Sequence, residues 1–233
     1  LVESGAKVAL IARNRRRLER LCARFPEEAE TLVCSADVSS AYDLVEARDK
    51  VLEELGAPDL VITAAGVRRA ANFDEAIPAD WRRMLATNLR GTLQTVQTFS
   101  PDVLAAGERG DRADIVMLSS APARERQHAY SVFSSLGASL GQFSKHLRAE
   151  YGLRGVRVHY FDSIYTGGSF FTQGNLGSNR ATSDHHDVIQ GPLPELESIA
   201  IDTAHVAEEV GFAASLPAHV NMASATILPL EGN

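Results

Sequence analysis

The residues best placed to do chemistry in this chain lie at the end of one strand and the start of the next helix. Asp114-Ile-Val-Met-Leu-Ser-Ser120 reads as a buried strand ending in paired serines. After a polar connection, Val132-Phe133-Ser134-Ser135-Leu136-Gly137-Ala138 opens a helix that continues through Phe143, Leu147 and Tyr151. A strand-end hydroxyl such as Ser120 can orient a reacting oxygen, but general acid–base catalysis also needs a group with an exchangeable proton. Thirteen residues on stands Phe133, which has none, and one helical turn later Gly137, which has no side chain. The nearest phenol is Tyr130. A second cluster, Asp184-His185-His186-Asp187 with His205 further on, has the residue types of a metal site. Its two histidines are adjacent, however, so in extended chain they point to opposite sides. A polar loop is the expected reading, and no metal site is expected.

These residues are positioned by an alternation of short apolar runs and amphipathic stretches. Strands are expected at 7–12, 32–36, 59–63, 115–118, 156–161 and 225–228, each a run bounded by polar or small residues. Helices are expected at 15–25, at 40–55 with Ser40 as its cap, at 78–104, from 132 to Tyr151, and at 203–216. Ser100-Pro101 should bend the long helix, because proline removes a backbone donor. Strand–helix alternation implies a mostly parallel sheet with helices on both faces. The 233 residues suit one domain, 1–233, with no internal repeat. The stretch 162–198 is rich in Gly, Ser, Thr, Asn and Pro and interrupts the pattern.

Composition narrows the function classes. Hydrophobic content of 45% and charged content of 23% are ordinary for a globular chain. A net charge of −7 argues against broad nucleic-acid binding, which needs a clustered basic face. The one basic cluster, Arg13-Asn14-Arg15-Arg16-Arg17 with Arg20, reads as the solvated start of a helix, with a phosphate-binding patch as its alternative. Cys22 and Cys34 lack metal-ligand spacing and fit reduced thiols of a cytoplasmic protein. No apolar run approaches the ~20 residues needed to cross a bilayer, so no membrane partner is expected.

The strand ending at Ser120 and the helix opening at Phe133 resemble those of the short-chain dehydrogenase/reductase family, and the resemblance covers nearly the whole chain. It implies a Rossmann-like, doubly wound α/β fold, with 162–198 as the substrate lid. In that family the strand ends in a catalytic serine and the helix begins Tyr-x-x-x-Lys; here those two positions read Phe133 and Gly137. The resemblance gives Asn88, in Ala86-Thr87-Asn88-Leu89-Arg90-Gly91, the place of a helix asparagine that binds a relay water. Asn88 reads equally as a polar residue bonding main-chain groups. Ser120 takes the place of the catalytic serine. Asp37 takes that of an adenine-contacting aspartate, or caps the segment at Ser39. Thr63-Ala64-Ala65-Gly66 stands for Asn-Asn-Ala-Gly, so Ala65 and Gly66 are retained while the asparagines are lost. Ser163-Ile164 replaces a Pro-Gly turn. Reading Tyr130 as the acid instead puts Ser134 at the lysine position and shifts Phe143 out of register, which favours a surface or interface tyrosine three residues before the helix.

The chain opens at Leu1-Val-Glu-Ser-Gly5-Ala6-Lys7, which reads as the last turn of the family's first helix. The first strand and the glycine-rich turn, with the amides that would cradle a cofactor pyrophosphate, do not stand in this sequence, either because it begins after them or because the nucleotide half is remodelled. Arg13 would favour a phosphorylated dinucleotide if one were bound. The resemblance then implies a subunit without an intact catalytic or cofactor site and without its own cofactor. It would pair with an active homologue carrying NAD or NADP through the helices that hold Asn88 and Gly137, where Ser134, Ala138 and Gly141 would allow close approach. Within the family this is most similar to the inactive subunits of heterotetrameric hydroxyacyl-CoA dehydrogenases, such as that for hydroxybenzylsuccinyl-CoA. Two alternatives stay open: an NAD(P)-dependent oxidoreductase with rearranged acid–base groups, and a stand-alone ligand-binding regulator.

Overall fold

A computed structural model describes residues 1–119, 129–163 and 201–228. The elements run β1 (Val8–Ala12), α1 (Arg15–Cys22), β2 (Thr31–Ser35), α2 (Ala41–Glu54), β3 (Leu60–Thr63), α3 (Pro78–Met84), α4 (Thr92–Glu108), β4 (Asp114–Ser119), α5 (Ser131–Gly152), β5 (Arg157–Ser163), α6 (Thr203–Ser215) and β6 (Ser224–Ile227). Every expected strand and helix in the described residues is present within a few residues of its expected bounds. Asn14, Ser40 and Asp202 cap α1, α2 and α6, each accepting a backbone N–H at the first helical turn.

All the ladders are parallel. The strands form a two-stranded sheet, β1-β2, and a four-stranded sheet ordered β3-β4-β5-β6. Among the described residues β1 pairs only with β2 and β3 only with β4, so each keeps one unpaired edge. Ile11 of β1 nevertheless packs on both core clusters: one formed with Val51 and Ala47 of α2, the other with Val61, Val103, Met117 and Val158. The fold is therefore Rossmann-like α/β, with central strands buried on both faces as parallel sheets require. On the side away from α4 and α5, Val116 and Phe161 pack on Val210 and Ala213 of α6.

Pro101 lies inside α4, which continues past it to Glu108. The α-helical bonding changes at Leu85–Gly91, a π-helical turn between α3 and α4 that carries Asn88. Such wide turns insert an extra residue and re-aim side chains, and they often sit at functional sites.

Candidate functional site

The site is built where β3, the π-helical turn and the start of α5 converge. Asn88 is buried there, and both ends of its amide are spent on one residue. Val67 N donates to Asn88 Oδ1 at 2.8 Å, and Asn88 Nδ2 donates to Val67 O at 2.8 Å. This satisfies the backbone of a segment that leaves the sheet with no strand partner. Gly66 lies beside this clamp, and a Cβ there would sit 3.6 Å from Asn88 Oδ1, in ordinary contact. Asn88 thus works as a clamp on main-chain groups, the second of its two expected readings.

Phe133 lies on the first turn of α5 and is buried with Val67, Met84, Tyr130 and Leu136. Tyr130 directly precedes α5 rather than standing three residues before it, and it is buried rather than at a surface. Its ring meets Phe133 edge-on with centroids 6.4 Å apart. The Arg68 guanidinium sits 4.2 Å from the Tyr130 centroid and 5.7 Å from that of Phe133. A cation over two ring faces is favourable, and more so when desolvated, as Arg68 is at 6% exposure. A shallow groove runs beside this cluster, lined by Arg69, Ile77, Asp80, Trp81 and Val132.

Gly137 is buried one turn along α5, and its carbonyl accepts a hydrogen bond from Tyr160 Oη at 3.1 Å. Tyr160 stands on β5 and packs under the helix. A Cβ on Gly141 would touch the Tyr160 ring at 3.5 Å, ordinary van der Waals contact, so any larger side chain there would have to contend with the same tyrosine. Burial pushes the Tyr160 phenol up to about 12; the Asp162 carboxylate adds to this, and a hydrogen bond with Ser119 opposes it. Tyr160 is therefore a neutral hydroxyl that fastens α5 to the sheet. The helix cost of the two glycines, about 1 kcal/mol each, is offset by packing against the sheet.

The remaining expected positions divide. Asp37 Oδ1 accepts from Ser39 N at 2.8 Å and from Ser39 Oγ at 2.7 Å, the local capping reading. Its own N–H donates to Asp43 Oδ2, and this bond holds the Asp43 carboxyl below its usual range, with the Ser40 hydroxyl helping. Thr63 is buried at the end of β3, its hydroxyl without a hydrogen-bond partner, a cost that buried hydroxyls rarely carry. Ser163 is the last residue of β5 and is buried. Ser120, Ile164, the Asp184–Asp187 cluster and most of the lid-like stretch lie outside the described residues. His205 lies on α6, and among the described residues no group of histidine, cysteine and carboxylate side chains could hold a metal. No described helix is long and apolar enough to cross a membrane. Three features escaped the sequence reading: the Arg68 stack, the Tyr160–Gly137 bond, and a buried ionic cluster on β4 and β5. The advance signal for the last two was a polar residue inside the apolar run Val156–Phe161.

A family model described as short chain dehydrogenase matches residues 1–173. The chain belongs to the short-chain dehydrogenase family. An uncharacterised oxidoreductase of Staphylococcus epidermidis is 24% identical to it over 234 aligned positions, covering 99% of this chain and 89% of that protein. D-threitol dehydrogenase of Mycolicibacterium smegmatis is 33% identical over 158 positions, covering 66% and 58% respectively. Among solved structures, an alcohol dehydrogenase from Thermococcus sibiricus complexed with 5-hydroxy-NADP superposes with a TM-score of 0.82 at 20% identity, over all of this chain and 89% of that one. A 3-ketoacyl-(acyl-carrier-protein) reductase from Brucella melitensis complexed with NADH gives 0.81 at 18% identity, over 97% and 86%. These structural likenesses carry the fold.

At the two positions where the resemblance places lysine and tyrosine, Gly137 supplies no ammonium group and Phe133 no exchangeable proton, and one oxygen of the Asp37 carboxylate is held by Ser39. What the arrangement can do chemically is hold α5 rigidly to the sheet and to the segment after β3.

Proposed function

We propose that this chain is a non-catalytic member of the short-chain dehydrogenase family that acts by assembling with an active homologue. Phe133 carries the reading: where proton transfer needs a phenol, a phenyl ring lies buried in an apolar cluster, with no exchangeable proton to give. The region is packed rather than left empty, since Arg68 lies over Tyr130 and Phe133 and Tyr160 bonds the carbonyl of Gly137. A fold kept in this way while its chemistry is lost is suited to supporting another subunit. The surface offered would be the exposed side of the helices that carry Asn88 and Gly137, where Ala138 and Ser139 are exposed. In this reading the chain holds no dinucleotide and the partner carries NAD or NADP. A hydroxyacyl-CoA dehydrogenase, the hydroxybenzylsuccinyl-CoA enzyme among them, is the partner class the sequence pattern favours, in the cytoplasm.

A second reading keeps Tyr130 as a displaced acid in a working NAD(P)-dependent oxidoreductase, because it is the phenol that touches Phe133. Native mass spectrometry of the complex isolated from its source separates the two. The expected result is an assembly of two unlike subunits, with this chain giving a flat calorimetric titration against oxidised and reduced dinucleotides. A homo-oligomer with bound nucleotide, or micromolar affinity for either cofactor, would overturn the proposal. Loss of the resulting activity in Tyr130→Phe would then favour the second reading.

A further inference from the structure

A buried ionic cluster lies at the opposite ends of β4 and β5 from Phe133. Asp114, Arg157 and His159 are 1%, 4% and 0% exposed. Arg157 Nε donates to Asp114 Oδ1 and Nη2 to Asp114 Oδ2, both at 2.7 Å, a bidentate pair. The same guanidinium donates to the carbonyls of Ala214, Leu216, Pro217 and Val220, which join α6 to β6. Arg148 of α5 reaches the carbonyls of Val158 and Ala223. The carbonyls of segment 214–223 are thus gathered onto cationic side chains from α5 and β5.

His159 completes the arrangement, and its hydrogen bonding is overdetermined. One ring nitrogen, Nε2, lies 2.9 Å from Asp114 Oδ1, and the other, Nδ1, lies 2.9 Å from Met222 O. A carbonyl oxygen only accepts. A carboxylate held on both oxygens by a guanidinium is ionised and also only accepts. A neutral imidazole has one N–H and one lone pair, so in that form one nitrogen would point its lone pair at an oxygen 2.9 Å away. Both contacts are hydrogen bonds only when both nitrogens carry protons. Besides Asp114 and Arg157 on the strands, Arg148 is the charged group that meets this segment from α5, while α6 turns Val206, Val210 and Ala213 inward. His219, within the segment, is exposed.

We infer that docking of segment 214–223 takes up a proton at His159, which makes the joint between α6, β6 and the rest of the sheet a pH-sensitive latch. The sign follows from which state holds the proton. Freed from the joint, a histidine titrates near its ordinary value of about 6.5, so the latch is fully closed at lower pH and loosens as pH rises. One linked proton changes the docking equilibrium by at most about tenfold per pH unit. This inference stands apart from the proposed function and holds whether or not the chain is catalytic.

Two measurements on the whole chain test it. Hydrogen exchange of the β6 amides, corrected for intrinsic rates, should show protection falling by up to about tenfold per unit as pH rises above about 6.5. In His159→Asn, which keeps one amide donor but no titrating group, that slope should vanish. NMR of the ring nitrogens should show both nitrogens of His159 protonated at about pH 6. A pH-independent protection pattern in the wild-type protein, or one bare ring nitrogen at that pH, would overturn the inference. Neither wild-type reading depends on the variant folding.

Discussion

Tyr160 Oη donates to the carbonyl of Gly137 across 3.1 Å and joins β5 to α5 at the position where the family would place a lysine. The hydroxyl comes from the sheet and meets backbone, so it anchors the helix and offers nothing to a substrate. The two glycines of α5 and the one large residue of β5 beneath them form a complementary set.

The titration of Tyr160 should report this. Its folded value is raised to about 12, chiefly by burial and then by the Asp162 charge, whereas a free tyrosine ionises near about 10. The folded state therefore favours the protonated phenol. Its contribution to stability is present in full below about pH 10 and is lost as pH rises toward about 12. Spectrophotometric titration of the wild-type protein minus Tyr160→Phe should show no tyrosinate signal from this residue at about pH 10 while the fold persists. A signal at that pH would mean that Tyr160 is open to solvent.

Gly141→Leu should destabilise the isolated chain. Its side chain would enter the space held by the Tyr160 ring, and overpacking of this kind costs about 1–3 kcal/mol. The substitution is therefore a test of the monomer. Ala138→Leu, on the exposed side of the same helix, is the test of the proposed partner surface. It should leave the thermal midpoint of the isolated chain almost unchanged and weaken assembly with an active homologue. A Gly141→Leu protein as stable as wild type would show that Tyr160 does not pack as described.

Asn88→Asp should cost more than Asn88→Ala at neutral pH. Alanine leaves the Val67 N–H and carbonyl buried and unpaired, at about 1–3 kcal/mol each. Aspartate can still accept from Val67 N, but it turns a charged oxygen toward Val67 O, so its carboxyl should resist ionisation. Stability of Asn88→Asp should therefore rise as pH falls through the carboxylate range, while Asn88→Ala shows no such trend relative to wild type. Urea denaturation at two pH values decides this.

The alternation of elements was legible because strand and helix periods differ and each apolar run has polar or glycine borders. The reading of Phe133 and Gly137 rests on their spacing from Ser120 set against the family pattern. The pairings around them were not legible. Arg68 over Tyr130, Tyr160 beneath Gly137 and Asn88 on Val67 each join residues from different elements, and no local period reports such contacts. The π-helical turn at Asn88 was missed because its apolar positions also suit a continuous helix. Tyr130 reads as a surface residue until Arg68 is known to cover it.

Restoring the missing side chains should not restore a reaction. In Phe133→Tyr with Gly137→Lys, the new hydroxyl enters a cluster of Val67, Met84, Tyr130 and Leu136, where a hydroxyl left without a partner costs about 1–3 kcal/mol. The lysine would stand above a tyrosine already bonded to the helix backbone. Hydride transfer also requires a nicotinamide held beside the substrate carbon, and positioning of that kind supplies much of the catalytic effect. At the positions that the resemblance gives to paired asparagines stand Thr63 and Ala64, and one oxygen of Asp37 is already bonded to Ser39. The double variant should fold with reduced stability and show no NAD- or NADP-linked turnover of alcohols, in steady-state assays run beside an active short-chain dehydrogenase. Turnover above that of the wild-type chain would show that the cofactor seat is intact, and would leave Phe133 and Gly137 as the whole of the defect.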